Sequence, residues 1–363
     1  MIVRYATSEL PAKWRDTKPI ARFGTCLSIP DHSVCRSTTV RLQRELKSKA
    51  SFLQRSRPPS QKRASNMQHA RNIESEISAH GLSAVKSEMI EMDTGRIRIY
   101  FQGEGTPLVF LHSAACDNRQ WRDISLNWSH HHQVVMPDLP GCGASDGFEA
   151  DKWLTLENEA NAIIAVADHL QQPFHLIGHS YGGAVALKSA MQLGPKLASL
   201  TLIEPTSFHL LGHGDRFEKA MLGQIDRFAA SIEQAVMSGF DETAMMQFVD
   251  FWSGPGSWDK VPAAKRAALL PRAHKLPGDF GRLFNEDLRP ADIAKLTVPT
   301  LVICGTQSPE PVRVLSRLIA KSIIHSRHRT IGWAGHMLPL THRAQVNVLL
   351  EEHFALSKAA LAA

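Results

Sequence analysis

Cysteine is scarce and unpatterned in this chain. Five residues in 363 (Cys26, Cys35, Cys116, Cys142 and Cys304) are odd in number and widely scattered. None forms a C-x-x-C pair, which argues against a disulfide framework and leaves a zinc site without support. They read as free thiols in a reducing, cytoplasmic compartment. Long hydrophobic runs are missing too. No uninterrupted apolar stretch approaches the ~20 residues of a membrane span. The first residues do not follow the basic-then-apolar pattern of a secretory signal. Acidic residues are nearly absent from one region only. Residues 1–66 hold 14 Lys and Arg against 4 Asp and Glu, whereas the remainder holds 27 against 31. The formal net charge of +6 therefore belongs to the leading segment. It is no argument for a nucleic-acid enzyme. What is left is ordinary: 43% hydrophobic and 21% charged residues, in a chain long enough for a substantial core.

The basic segment 1–66 is rich in Arg, Ser and Pro and carries no sustained period; Arg55-Ser56-Arg57-Pro58-Pro59 reads as linker. It is expected to be a disordered extension, or sequence upstream of a start near Met67. An organelle-targeting leader and a basic arm for membranes or nucleic acid are the alternatives. Residues 67–85 read as a linker or lead-in helix. From there the pattern becomes regular. Residues 89–92 and 97–101 predict a hairpin turning at Asp93-Thr94-Gly95. Short apolar runs at 107–112, 133–138, 174–177, 199–204, 299–304 and 328–331 predict buried strands. Helices are expected over 154–170 and 342–357. Strands alternating with helices imply a mostly parallel sheet covered on both faces, an α/β core over 86–205 and 291–363. Residues 206–290 interrupt the alternation. They are helical in pattern and rich in large apolar groups, Phe208, Phe248, Phe251, Trp252 and Trp258 among them. An insertion at the carboxyl end of a sheet is where a cap over a ligand crevice would sit.

The most informative stretch is Gly178-His179-Ser180-Tyr181-Gly182. A strand precedes it and a helix, beginning at Gly183-Ala184-Val185, follows. A strand, a sharp turn carrying serine, then a helix is a nucleophile elbow. The glycines fit because the turn is strained and its neighbours crowd the backbone. The helix N-terminus offers free N–H groups and a positive dipole end to a developing oxyanion. A serine hydroxyl needs a base within hydrogen-bond reach. Of 18 histidines, His336 is the candidate, because Gly335-His336-Met337 follows the last strand in a loop that can lean over the elbow. His130-His131-His132 invites a metal reading, but it sits in a polar turn before a strand and reads as a solvated loop. His179 is expected to pack beside the elbow.

With these elements in this order, the chain resembles the α/β-hydrolase superfamily, capped type, over about residues 86–360. Two further segments carry the resemblance: His112-Ser113 after the third strand, and Asp138-Leu139-Pro140-Gly141-Cys142-Gly143-Ala144-Ser145 after the fourth, similar to that family's D-x-x-G-x-G-x-S. The resemblance implies an eight-stranded, mostly parallel sheet with helices on both faces and a helical cap. It also implies an oxyanion hole from two backbone N–H groups. One is assigned to Tyr181. The other is assigned to Ala114, in a loop that reads His112-Ser113-Ala114-Ala115 where the family usually has His-Gly.

The acid departs from the pattern. Most members carry an aspartate after the seventh strand in G-x-x-D; here Gly305-Thr306-Gln307-Ser308 puts a neutral hydroxyl in that place. Glu204, at the end of the sixth strand, is the favoured substitute; some haloalkane dehalogenases, similar in fold, place their acid there. Glu310 is the alternative acid, and a Ser–His dyad the third reading.

The activity expected is hydrolysis of an ester-like bond (carboxylic ester, possibly lactone or thioester) in a small apolar substrate through an acyl-enzyme on Ser180. No metal and no organic cofactor is required. Hydrolysis of a carbon–carbon bond, or a catalytically weak ligand-binding homologue, are the alternatives. Small molecules are the expected partners, with no nucleic acid and no membrane span.

Overall fold

The computed structural model describes residues 84–147 and 155–361. The basic segment 1–66, most of the lead-in 67–85, and Cys26 and Cys35 lie outside the described residues. Strand β1 (Lys86–Met92) turns back on β2 (Gly95–Gln102) as an antiparallel hairpin, Met92 opposite Gly95. Then come β3 (Pro107–Leu111), β4 (Gln133–Pro137), β5 (Phe174–His179), β6 (Leu197–Ile203), β7 (Thr300–Gly305) and β8 (Ser326–Ile331). The sheet order is β1-β2-β4-β3-β5-β6-β7-β8. Strand β2 runs antiparallel to β1 and β4, and the pairings from β4 through β8 are parallel.

Alternation explains why these strands are apolar on both sides. Leu108 and Phe110 of β3 join a cluster with Trp121, Ile124, Val346, Leu350 and Phe354. Their neighbours Val109 and Leu111 join the opposite cluster with Ile163, Val166, Val185 and Leu187. A parallel strand buried on both faces has no polar side to show. The helices that cover it are α1 (Arg122–Trp128), α2 (Leu156–Leu170) and α3 (Tyr181–Leu193) before the long insertion. After the insertion come α9 (Glu310–Ser322), α10 (Leu338–Thr341) and α11 (Arg343–Leu361). The insertion itself holds α4 (Arg216–Met237), α5 (Asp241–Ser253), α6 (Ala263–Leu269), α7 (Leu276–Phe284) and α8 (Pro290–Ile293). It is a helical insertion between β6 and β7, the segment expected to be the cap. Helix α4 starts at a capping box, Asp215 accepting from the N–H groups of Phe217 and Glu218 while the Glu218 carboxylate accepts from the Asp215 N–H.

The loops leaving the carboxyl ends of β3, β5, β6, β7 and β8 converge on one edge of the sheet. Ligands bind at that edge in open α/β sheets. A large concavity, about 760 Å³, lies at the other edge, lined by Trp128, His132, His175 and Phe354. Size alone would choose the wrong end of the molecule; convergent chemistry chooses the carboxyl edge.

Candidate active site

Ser180 follows β5 with φ 56° and ψ −118°, a left-handed conformation that costs a residue with a Cβ on the order of 1–3 kcal/mol. Surrounding backbone holds it there. The Ser180 N–H donates to Ile203 O at 2.9 Å, and Ser180 O accepts from Gly183 and Ala184 as α3 begins. A Cβ on Gly178 would stand 2.2 Å from Gly182 O, and one on Gly182 would stand 2.5 Å from the carbonyl oxygens of both Leu111 and His112. The glycines are therefore required by close approach of backbone, as the sequence pattern suggests.

The Ser180 Oγ lies 2.9 Å from His336 Nε2, and His336 Nδ1 lies 2.7 Å from Glu204 Oε2. All three residues are buried. Glu204 directly follows β6 with φ 46°, its own N–H donating to Ile303 O. Its second oxygen, Oε1, accepts from the Gly305 N–H at 2.6 Å and from the Ser308 hydroxyl. Ser308, in the place where the family carries its acid, thus donates to an acid delivered by the neighbouring strand. Glu310 is exposed at the first position of α9 and is not among the hydrogen-bond partners of His336.

His179 does more than pack beside the elbow. Its Nε2 is 2.9 Å from His336 O, and its Nδ1 is 3.0 Å from Gln120 Nε2. A carbonyl can only accept, so Nε2 carries the proton and Nδ1 accepts from the Gln120 amide. Burial, and then the neighbouring His336, push the His179 pKa well below its ordinary value and keep the ring neutral. Gln120 Oε1 in turn accepts from the Ser113 N–H at 3.0 Å and the Ser113 hydroxyl at 2.8 Å. One buried chain of hydrogen bonds therefore ties the loop after β3, the elbow and the His336 loop together. His112 fixes the base of the same loop: its Nδ1–H donates to Ser113 O, and its Nε2 accepts from the Leu139 N–H. The Asp138 segment is scaffolding, its carboxylate accepting from Asn118 and Ala144. Sequence reading missed Gln120, whose partners are 7 and 59 residues away; no local pattern marks it.

Ala114 and Tyr181 both line the small cavity beside Ser180. Tyr181 is the first residue of α3, where N–H groups have no partner within the helix. The cavity is about 20 Å³, room for little more than one water molecule. Its other walls are Phe208, Phe248, Trp252, Leu276, Phe280 and Leu283, with Thr206 and Asp279 as the polar members. Not every large apolar residue of the insertion faces inward: Met237 and Phe240 are exposed. Trp252 stacks on His336, ring centroids 4.1 Å apart and planes 27° apart. His130 and His131 are exposed, and no group of His, Cys, Asp or Glu suited to a metal ion occurs among the described residues. No helix among them is long and apolar enough to cross a membrane.

Beneath the cavity lies a buried ionic cluster that the sequence did not announce. The Tyr181 hydroxyl donates to Glu159 Oε1 at 2.9 Å. Cap residue Lys275 contacts Asp279 at 2.6 Å and Glu159 at 3.7 Å, and Arg282 reaches Asp279 at 3.3 Å. Burial raises the Glu159 pKa, with Lys275 and Arg282 opposing. Burial works against the Lys275 ammonium, but Asp279 and Glu159 outweigh it and raise its pKa.

Fold and site together define a class. The chain matches the alpha/beta hydrolase family over residues 108–348, and it belongs to that family. It is 26% identical over 270 residues to the (E)-2-((N-methylformamido)methylene)succinate hydrolase of Acinetobacter baylyi, covering 73% of this chain and 97% of that protein. It is 24% identical to the pimeloyl-[acyl-carrier protein] methyl ester esterase of Pectobacterium carotovorum, covering 67% and 93%. Among solved structures, an esterase from Exiguobacterium antarcticum superposes with a TM-score of 0.61 at 19% identity, covering 74% of this chain and all of that one, a likeness of fold.

Proposed function

We propose that this protein is a serine hydrolase that cleaves an ester-like bond of a small substrate through an acyl-enzyme on Ser180. The observation that carries the reading is the continuous line from Ser180 Oγ to His336 to Glu204, at 2.9 and 2.7 Å. His336 Nε2 takes the hydroxyl proton as Oγ attacks the carbonyl carbon. The oxyanion forms against the N–H groups of Tyr181 and Ala114. The carbon–oxygen bond to the leaving alcohol then breaks, and that alcohol departs with the proton held by His336. Water, deprotonated by the same imidazole, attacks the acyl-enzyme and releases the acid and Ser180. Glu204 holds the His336 tautomer that leaves Nε2 free to accept. Ester cleavage is also the reaction named for the Pectobacterium relative. A fluorophosphonate probe is expected to label the wild type at Ser180 and to leave Ser180→Ala unlabelled. Labelling of the alanine variant would sink the reading.

The cavity walls favour an apolar acyl chain, with two polar exceptions, Thr206 and Asp279. Asp279 is 2% exposed, and its Oδ2 has no hydrogen-bond partner among the described residues. A buried carboxylate oxygen in that state favours a substrate group that donates a hydrogen bond. The substrate is then a mainly apolar acyl group bearing a hydroxyl or N–H. Asp279→Asn should lower kcat/KM for the p-nitrophenyl ester of an ω-hydroxyhexanoate about tenfold relative to the plain hexanoate, the value of a hydrogen bond to a charged group. An unchanged ratio would leave Asp279 a purely structural member of the cluster.

A further inference from the structure

The loop that carries Ala114 is held from two sides, and one of the two holds belongs to the cap. On the inner side, Ser113 is fixed by Gln120. On the outer side, Arg272 in the cap segment before α7 donates from Nη1 to Ala115 O at 2.8 Å and from Nη2 to Asp117 Oδ2 at 2.7 Å. Ala115 has φ 55°, a strained conformation for alanine. Asp117 is itself anchored: it is 4% exposed, caps the short 3-10 helix Asn118–Trp121, and binds Arg119 through both oxygens. Ala114 therefore sits between a fixed Ser113 and a carbonyl clasped by a guanidinium. Few groups suit this task. A planar fork can meet a carbonyl and a carboxylate together; a lysine ammonium is a single point charge on a flexible stem.

A cavity of about 20 Å³ beside Ser180 cannot hold an ester together with an acyl chain. The side chains that wall the cavity must shift for substrate to enter, and Arg272 lies in the turn that leads directly into α7, whose Leu276, Phe280 and Leu283 are three of those walls. We propose that Arg272 is a positioning residue through which the seated cap sets the Ala114 N–H in the oxyanion hole. Binding energy from the closed cap is then converted into transition-state stabilisation, because the second donor is aligned only when Arg272 is home. The inference rests on the reading of Ser180 as nucleophile and Ala114 as donor given above.

The test uses p-nitrophenyl butyrate and a trifluoromethyl ketone with the same alkyl chain, whose serine adduct places an oxyanion in the hole. Arg272→Met is expected to lower kcat about 30-fold with KM changed less than threefold, a fraction of the 10²–10³ lost when a donor is removed outright. Ketone affinity should fall by the same factor as kcat. Arg272→Lys, able to reach one acceptor but not both, should recover most of the loss and remain about fivefold below wild type. An inactive wild type, unlabelled by the fluorophosphonate, would sink the hydrolase reading and this inference with it. An active wild type whose Arg272→Met variant keeps kcat and ketone affinity within twofold would overturn the inference alone. A loss confined to KM would do the same. Should Arg272→Met fail to fold, Arg272→Lys decides: a loss of about fivefold in both kcat and ketone affinity supports the coupling, and wild-type values of both refute it.

Discussion

Glu204→Gln should lower kcat on a p-nitrophenyl ester by about 10⁴, the cost of a wrong histidine tautomer in a serine triad, while Glu310→Gln stays within about twofold of wild type. The geometry gives the reason. Oε1 of Glu204 accepts from the Gly305 N–H and the Ser308 hydroxyl, so a glutamine there must keep its carbonyl oxygen on that side. Its NH₂ then faces His336 Nδ1, which can only accept from it. The imidazole proton is forced onto Nε2, against Ser180 Oγ. A protonated Nε2 cannot take the serine proton, and the imidazolium formed in the transition state loses its counter-charge. Volume and packing are nearly unchanged, so the thermal midpoint should move far less than the rate. Glu310 stands exposed at the start of α9, and removing its charge touches neither His336 nor Ser180. Equal kcat for wild type and Glu204→Gln would exclude Glu204 as the acid.

Stability should fall steeply as the pH drops below about 6.5, the ordinary histidine pKa. His175, His209 and His353 are each held neutral by burial, with pKa values lowered to about 4. The hydrogen bonds fit neutral rings, and that of His353 to Arg327 requires one. His175 meets the Ser199 hydroxyl, His209 donates to Leu283 O, and His353 donates to Leu200 O while accepting from Arg327. Above pH 6.5 the folded and unfolded chains bind the same number of protons at these sites, and stability is at its full value. Between about 6.5 and 4 the unfolded chain takes up protons that the folded chain refuses. Each histidine then removes up to about 1.4 kcal/mol per pH unit, or about 3 kcal/mol across the window. Three together approach the roughly 5–15 kcal/mol that an ordinary domain has available. Thermal midpoints measured at pH 7.5, 6 and 5 should fall progressively. His353→Gln keeps a donor for Leu200 O and removes one titration, so its midpoint should fall less between pH 7.5 and 5. A wild-type midpoint that is the same at pH 7.5 and 5 would show that these rings are not held neutral.

Much of the fold was legible because its signals are local. The strand runs and the β1–β2 turn follow from apolar patterning and turn chemistry within a few residues. Observed bounds differ from the pattern only at the ends: β1 and β2 begin earlier, at Lys86 and Gly95, because edge positions Lys86, Ser87 and Glu88 pair through backbone and need no apolar side chain. A short helix, α8, occupies Pro290–Ile293 ahead of β7, with Pro290 in its first turn. Ser180 could be singled out because an elbow requires small neighbours at fixed offsets. His336 was singled out by its place after the last strand.

What the sequence alone determined is therefore the frame: a doubly covered parallel sheet, an elbow serine, and a histidine loop at the same edge. Each rests on residues close together in the chain, where steric and capping rules act directly. Only the tertiary structure decided between Glu204 and Glu310 as the hydrogen-bond partner of His336, since each carboxylate follows a strand within a few residues and the chain does not say which one packs against the histidine loop. The partner lies 132 residues from the histidine, and Gln120 lies 59 from His179. Arg272 lies 157 from the carbonyl it clasps. Hydrogen bonds of about 3 Å across such separations depend on how strands and cap pack, and no spacing rule within the chain can encode them.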